Sequence, residues 1–253
     1  MNSIIISIVS HLQAEWVKGL LSDIQEHCQG TNLTVLLTLN KPESVTFTEK
    51  DYSFDFVILL NARPQGFAAN HNAAFHRAGG DFFCILNPDI RMPQNPFPVL
   101  LDRLKKDKSI GVISPLVRDL QNRPCDNARR FPSPGRIMRR LLPFSTKNDY
   151  APASQPLSVD WLAGIFLLFP SFLYRSLQGF DENYFLYLED ADLCARIKLK
   201  GYRVLLDPEV CIFHEARRSS HHRPLYLLRH LRSLGRFFLS PVYRRLRQEA
   251  FIL

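Results

Sequence analysis

Four short stretches of this sequence carry side chains that can do chemistry. Asn87-Pro88-Asp89 follows the apolar run Asp81–Leu86. Asn, Pro and Asp all form turns, so a plain turn is one reading. The other is a carboxylate at the carboxyl end of a strand, placed to bind a hard divalent cation. Mg²⁺ and Mn²⁺ prefer oxygen ligands and often take only one or two protein carboxylates beside phosphate oxygens. Tyr187-Leu188-Glu189-Asp190-Ala191-Asp192 puts three carboxylates into four residues at the start of a predicted helix. Capping and dipole complementation account for at least one of them. Mutual repulsion raises the pKa of at least one, which suits a general base. His214 closes the apolar run Val210–Phe213 ahead of a basic segment. It is either a structural histidine or a group beside a metal or phosphate. Arg129-Arg130-Phe131-Pro132 is either solvated surface or a pair of guanidinium forks suited to phosphate.

The elements that must position these groups follow from periodicity. Ile4–Ser10, Leu33–Leu39, Phe56–Leu60, Asp81–Leu86 and Gly111–Ser114 read as buried strands. Ala14–Cys28, Phe67–Ala78 and Pro98–Lys106 read as helices between them, the second stopped by Gly79-Gly80. Such alternation predicts a largely parallel sheet covered on both faces, with ligands beyond the carboxyl ends of the strands. The loops to watch are therefore His11, Asn40, Asn61–Gly66 and Asn87–Asp89. Residues 121–156 are rich in proline and read as a long binding or lid loop, with one short helix around Ile137–Leu142. Trp161–Phe169 reads as one buried strand, Gly179–Glu182 as a turn, Glu189–Lys200 as a helix and Arg203–Leu206 as the last strand.

Composition narrows the class. The 253 residues are 46% hydrophobic, enough for a sizeable core, and the formal net charge of +8 calls for an anionic partner. Five cysteines with no CxxC pair argue against a disulfide framework or a cysteine zinc site and point to reduced thiols in a cytoplasmic protein. No basic segment precedes the first apolar run, and the longest such run is about half of the ~20 residues a bilayer span needs. A nucleic-acid-binding protein would carry a recognition motif. Neither a zinc-finger spacing nor an aromatic RNA-binding signature is found.

Taken in order, Asn61–Asn72 (NARPQGFAANHN), Gly80–Asp89 (GDFFCILNPD), Gly179–Arg196 (GFDENYFLYLEDADLCAR) and Gly201–His214 (GYRVLLDPEVCIFH) resemble family 2 glycosyltransferases. Arg129–Pro132 and Val159–Gly164 (VDWLAG) are similar to the bacterial rhamnosyltransferases that act on polyprenyl-diphosphate-linked GlcNAc in O-antigen assembly. The resemblance spans roughly residues 4 to 240. It implies a GT-A fold: an α/β, Rossmann-like, mostly parallel central sheet flanked by helices, over residues 1–214. It implies an inverting transfer of L-rhamnose from dTDP-rhamnose to a GlcNAc-diphosphate-polyprenol, with another nucleotide sugar or a growing glycan acceptor as the alternative. A domain of this fold without catalysis, serving as a scaffold, is less consistent with an intact Asp89, Asp190 and His214. In this reading Asp89 and His214 bind Mg²⁺ or Mn²⁺, Asp190 is the base, and Glu189 orients it or the acceptor. The donor would be held by His11, Asn40, Arg63, Gly66, Phe67, Asn70, Asn72, Asn87, Arg129 and Arg130. The acceptor would lie against Trp161, Gly164 and Glu189.

Residues 215–253 form the last expectation, a basic helical tail. Arg217, Arg218, Arg223, Arg229, Arg232, Arg236, Arg244, Arg245 and Arg247 alternate with leucines and aromatics, and no acid interrupts them. One reading is an amphipathic helix on an anionic membrane, which would place the protein peripherally on the inner face of the cell membrane. The other is a core-packed helix with a solvated basic face.

Overall fold

In a computed structural model, which describes residues 2–140, 149–151, 154–215 and 224–252, the alternating apolar runs become strands β1 (Ile4–Ser10), β2 (Leu33–Leu39), β3 (Asp55–Leu60) and β4 (Phe82–Leu86). They lie in the order β3-β2-β1-β4, all parallel. Successive side chains of β1 point to opposite faces, as a strand requires. Ile4, Ile6 and Ile8 pack with α1 (Ala14–His27) and α3 (Phe97–Lys106), while Ile5 packs on the side of α2 (Phe67–Arg77). This side is completed by α5 (Ser171–Ser176) and α6 (Glu189–Leu199).

Beyond β4 the sheet departs from the largely parallel expectation. Strand β5 (Ile90–Arg91) leaves the main run to pair elsewhere, and β6 (Ile110–Arg118) extends well past Ser114. The apolar run 161–169 is not one strand. Ala163-Gly164-Ile165 divides it into β9 (Trp161–Leu162), which pairs with β7 (Ala128–Arg129) in a separate two-stranded sheet, and β10 (Phe166–Pro170). Strand β10 inserts antiparallel between β4 and β6. The last strand, β11 (Arg203–His214), runs parallel to β6 through a bulge at Asp207–Cys211, so Pro208 costs no ladder bond. Its flanks hold β5 and β8 (Leu157–Ser158), both antiparallel.

In the proline-rich loop α4 spans Pro134–Arg140, earlier than the expected start, and Leu141 and Leu142 lie outside the described residues. The tail forms two helices rather than one, α7 (Pro224–Leu239) and α8 (Pro241–Ile252). Ser240 sits at the break, its Oγ accepting from the Tyr243 N–H at 3.0 Å, with Pro241 in the first turn. Phe237 and Tyr243 are buried in the α2-side core, so both helices are packed on the sheet domain. Arg217, Arg218 and Arg223 lie outside the described residues.

Candidate active site

Asp89 is fixed by backbone pairing on both sides. The two residues after it, Ile90 and Arg91, form β5 against the end of β11, with His214 opposite Ile90. The Glu215 N–H donates to the Asp89 carbonyl at 2.9 Å. Arg91 grips the buried Asp23 of α1 with two bonds, Nε–Oδ2 at 2.8 Å and Nη2–Oδ1 at 2.6 Å, tying this corner to the core. The result places Asp89 Oδ1 3.2 Å from His214 Nε2. Both atoms are buried and neither has a hydrogen-bond partner. Buried polar atoms are ordinarily satisfied, so two orphans facing each other mark a place for a further ligand. A carboxylate oxygen and an imidazole nitrogen suit a divalent cation. Among the described residues no group of three or more His, Cys, Asp and Glu side chains could hold a metal alone. A two-ligand corner of this kind leaves coordination positions for the oxygens of a diphosphate.

The loops after β1, β2 and β3 meet in a polar cluster at the start of α2. Asn40 is buried there; its amide nitrogen donates to the Gln65 carbonyl at 3.0 Å and lies 3.2 Å from His11 Nδ1. Its oxygen accepts from Asn61 Nδ2 at 2.9 Å and from the Gln65 N–H at 2.8 Å. Asn61 also donates to Asn70 Oδ1 at 2.6 Å, and Asn70 in turn donates to the Gly66 carbonyl at 2.9 Å. His11 is exposed, with its pKa lowered first by partial burial and then by the charge of Lys41. Asn61 and Gln65 carry as much of this network as Asn40. Their loop was expected from its place after a strand; their bonds to Asn40 come only from the parallel order β3-β2-β1.

The catalytic candidates stand at the N-terminus of α6. Tyr187 and Leu188 both have left-handed backbones, φ 73° and 68°, a costly conformation for residues with a Cβ. That double twist turns the chain so that Glu189 and Asp190 begin the helix side by side. Asp190 Oδ2 accepts from the Gly164 N–H at 2.9 Å, and Oδ1 from its neighbour Ala191 at 2.8 Å. Burial pushes the Asp190 carboxyl above its ordinary value, while the Gly164 bond and the charge of Arg129 pull against that rise. Glu189 is buried and its Oε2 has no partner. Burial first, and the charge of Asp190 second, push its carboxyl well above the usual range. Two adjacent acids of unequal environment are the arrangement that divides acid and base roles.

Gly164 joins these parts. Its position is tight: a Cβ would stand 2.9 Å from Phe67 Cζ, so that ring would have to move. The next residue, Ile165, accepts from the Asn87 N–H at 2.9 Å, two residues before Asp89. Phe67 donates its own N–H to the Phe185 carbonyl at 3.0 Å, and a Cβ at Gly66 would lie 2.6 Å from that oxygen. Gly66, Phe67, Asn70, Asn87, Gly164, Glu189 and Asp190 therefore share one neighbourhood. Arg129 faces Trp161 across the small sheet, its guanidinium 5.1 Å from the indole centroid and paired with Asp126 at 3.1 Å. Trp161 is buried, its Nε1–H donating to the Arg130 carbonyl at 3.0 Å. Arg63 is exposed on the loop after β3, and the exposed Arg130 lies over Tyr150. Asn72 stands apart. Its amide donates to the Phe180 carbonyl and to Glu182, and it accepts from Tyr174 Oη and the Phe180 N–H. With every bond made inside the fold, Asn72 pins the turn at 179–182 to α2 and has no atom left for a donor, contrary to expectation.

The parallel order β3-β2-β1-β4, an antiparallel β10 beside it and helices on both faces make the GT-A fold of glycosyltransferases. The chain belongs to the glycosyl transferase family 2, whose model matches residues 6–166. Among curated proteins it is similar to the N-acetylglucosaminyl-diphospho-decaprenol L-rhamnosyltransferase of Mycobacterium tuberculosis, 30% identical over 168 residues, 58% of this chain and 54% of that one. The chain thus spans about half the length of this relative. It is 26% identical over 221 residues to rhamnosyltransferase WbbL of Escherichia coli K12, covering 83% of each. Its fold matches GalNAc-T7 with UDP, GalNAc and Mn²⁺ at a TM-score of 0.67, with 15% identity over 86% of this chain and 44% of that one. It also matches the mannosyltransferase PcManGT of Pyrobaculum calidifontis with GDP-Man and Mn²⁺ at 0.59, with 16% identity over 89% of this chain and 60% of the other.

Proposed function

We propose that this protein is an inverting rhamnosyltransferase that moves L-rhamnose from dTDP-rhamnose to a GlcNAc-diphosphate-polyprenol in cell-surface polysaccharide assembly. The observation that carries the reading is Asp190, a carboxylate of raised pKa held by two backbone N–H groups beside the buried Glu189. The names of the mycobacterial relative and of WbbL both support rhamnose, and that of the mycobacterial relative supports the lipid-linked acceptor.

In this reading Asp190 takes the proton of the acceptor hydroxyl as its oxygen bonds to the anomeric carbon of the donor. The bond from that carbon to the diphosphate breaks in the same displacement, and the diphosphate leaves with the electron pair. One displacement inverts the anomeric centre, and no protein nucleophile is needed. Glu189, whose carboxyl burial and the charge of Asp190 push well above the usual range, would orient the acceptor or Asp190 through its unpartnered Oε2. Asp89 and His214 would hold Mg²⁺ or Mn²⁺, which supplies charge neutralisation to the departing diphosphate. The Asn40–Asn61–Asn70 cluster with His11 and Arg129 shapes the donor side, and Trp161 the acceptor side. A polyprenyl acceptor lies in a bilayer, so the enzyme works peripherally at an anionic membrane surface. Among the described residues no helix is long and apolar enough to cross a membrane.

The test is transfer of labelled sugar into a butanol-extractable lipid from a panel of nucleotide sugars, with GlcNAc-diphosphate lipid and Mn²⁺ or Mg²⁺. Transfer from dTDP-rhamnose alone, abolished by a chelator, is expected. Transfer from a different donor, or undiminished transfer in chelator, would overturn the donor or the metal assignment respectively.

A further inference from the structure

Helix α7 is apolar on both sides, and only one side is covered. Ser233 and Phe237 face inward and are buried. The Ser233 hydroxyl donates to the Leu186 carbonyl at 2.9 Å, and His230, Arg229 and Arg236 lie against the rings of Tyr187, Phe185 and Tyr184. The helix therefore braces the segment 184–188 that leads into Glu189 and Asp190. On the opposite side Leu227, Leu228, Leu231 and Leu239 are 60%, 64%, 56% and 80% exposed. At 3.6 residues per turn these four fall within an arc of about 120°; Leu227, Leu228 and Leu231 are neighbours on it, and Leu239 follows about two turns further on, past Gly235. Solitary exposed leucines are ordinary, but a ridge of four on one helix marks a contact surface.

Charge identifies what covers it. Between Glu215 and Glu249 the sequence holds no acid. Arg232, Arg244, Arg245 and Arg247 are exposed on α7 and α8. A second copy of the chain meeting this face through a two-fold axis would set arginine against arginine with no acid to pair. Exposed leucines beside the exposed Arg232, on a helix without acids, fit the interface of an anionic bilayer, where leucines enter the acyl boundary and arginines meet the headgroups.

We infer that the α7 leucine ridge inserts into an anionic membrane, and that the same helix, through its other face, sets the segment ahead of Glu189 and Asp190 at headgroup level. This deepens the lipid-linked acceptor reading. Its test uses no donor or acceptor, so it stands or falls separately from that reading. The full chain is floated with vesicles of phosphatidylcholine, alone or mixed with phosphatidylglycerol. Flotation with the anionic vesicles only is expected, with weakening at high salt. The variant Leu227→Gln/Leu228→Gln/Leu231→Gln should keep its thermal melt, because the three side chains are exposed. It should bind the vesicles on the order of a hundredfold more weakly. In a separate variant, Leu228→Trp, indole emission should shift to the blue when anionic vesicles are added. Failure of the wild type to float, equal flotation of the triple variant, or an unmoved Trp emission would each overturn the inference. So would sedimentation showing a wild-type dimer that the triple variant dissolves.

Discussion

Replacing Asp190 with asparagine separates its chemistry from its place in the fold. The carboxylate accepts two backbone hydrogen bonds, from Gly164 at 2.9 Å and from Ala191 at 2.8 Å. Asparagine has the same shape but only one oxygen, so one of those N–H groups must face an amide nitrogen. Leaving a buried donor unpaired costs about 1–3 kcal/mol. Against this, a neutral amide is easier to bury than the carboxylate, whose burial already raises its pKa. The net loss should stay below about 2 kcal/mol, a fall in Tm of no more than about 4–8 °C for a chain of this size. The chemical loss is far larger. Removing a general base costs about 10²–10⁴ in kcat, or roughly 3–5 kcal/mol of transition-state stabilisation. The assay is single-turnover transfer at saturating donor and acceptor, paired with calorimetric binding of the nucleotide diphosphate and a thermal melt. A folded variant that binds nucleotide as the wild type does and transfers sugar within about tenfold of its rate would refute the base assignment. Equal losses of turnover and nucleotide affinity would refute it too, since they would place Asp190 on the donor rather than on the acceptor proton.

Other expectations follow from neighbouring groups. The charge of Arg129 holds the Asp190 pKa down. Arg129→Gln should therefore move the acid limb of the kcat–pH profile to higher pH, and an unmoved limb would show that the two groups do not communicate. Glu189 has a folded pKa above its unfolded value near 4.5, so the stability it contributes is full below that value and is lost as pH rises through the folded pKa. Glu189→Gln escapes that loss, and its Tm advantage over the wild type should widen as pH rises above the unfolded value, by about 2–4 °C for each ~1 kcal/mol recovered. Melting curves that stay parallel across pH would contradict this. Asp89→Ala and His214→Ala remove atoms with no hydrogen-bond partner in the protein. Both should fold normally yet weaken Mn²⁺ binding in the presence of nucleoside diphosphate by about tenfold or more, followed by the free-ion electron paramagnetic resonance signal. Unchanged Mn²⁺ affinity in either variant would remove that residue from the metal site.

The parallel first half of the sheet was legible because its code is local. β1 and β2 match their apolar runs residue for residue, and α2 ends where Gly79-Gly80 predicts a stop. The acidic start of α6 was legible for the same reason: charge at a helix N-terminus is a local signal. What was not legible depends on partners distant in sequence. Nothing in the run 161–169 shows that Gly164 must pass close beside Phe67 and donate to Asp190, yet that contact divides the run into two strands of different sheets. Asp207-Pro208-Glu209 has the composition of a turn, and β11 was expected to stop before it. Arg103 instead bonds the buried Asp207 at 2.9 Å, and the strand continues through a bulge to His214. Asn72 has the polarity of a ligand-binding residue, and only the turn at 179–182 reveals where its bonds go. In the tail, composition showed basic and apolar residues interleaved but not that the arginines at 229 and 236 face rings of the 184–188 segment.

The placement of β10 has a consequence for how the chain acquires its shape. Strand β4 pairs with β1 on one edge and with β10 on the other, Leu86 opposite Phe166 and Phe82 opposite Pro170. Until residues 166–170 arrive, the inner edge of β4 has no partner, and β6 has nothing to join it to the first half. The strand that joins the two halves of the sheet is thus made well after β4, and closure over so long a loop is slow. A nascent chain paused before Phe166 presents Phe82–Leu86 as an open, wholly apolar edge, the kind of template on which misassembly begins. Strand β10, a short step after Gly164, is therefore the piece that joins the two halves of the sheet.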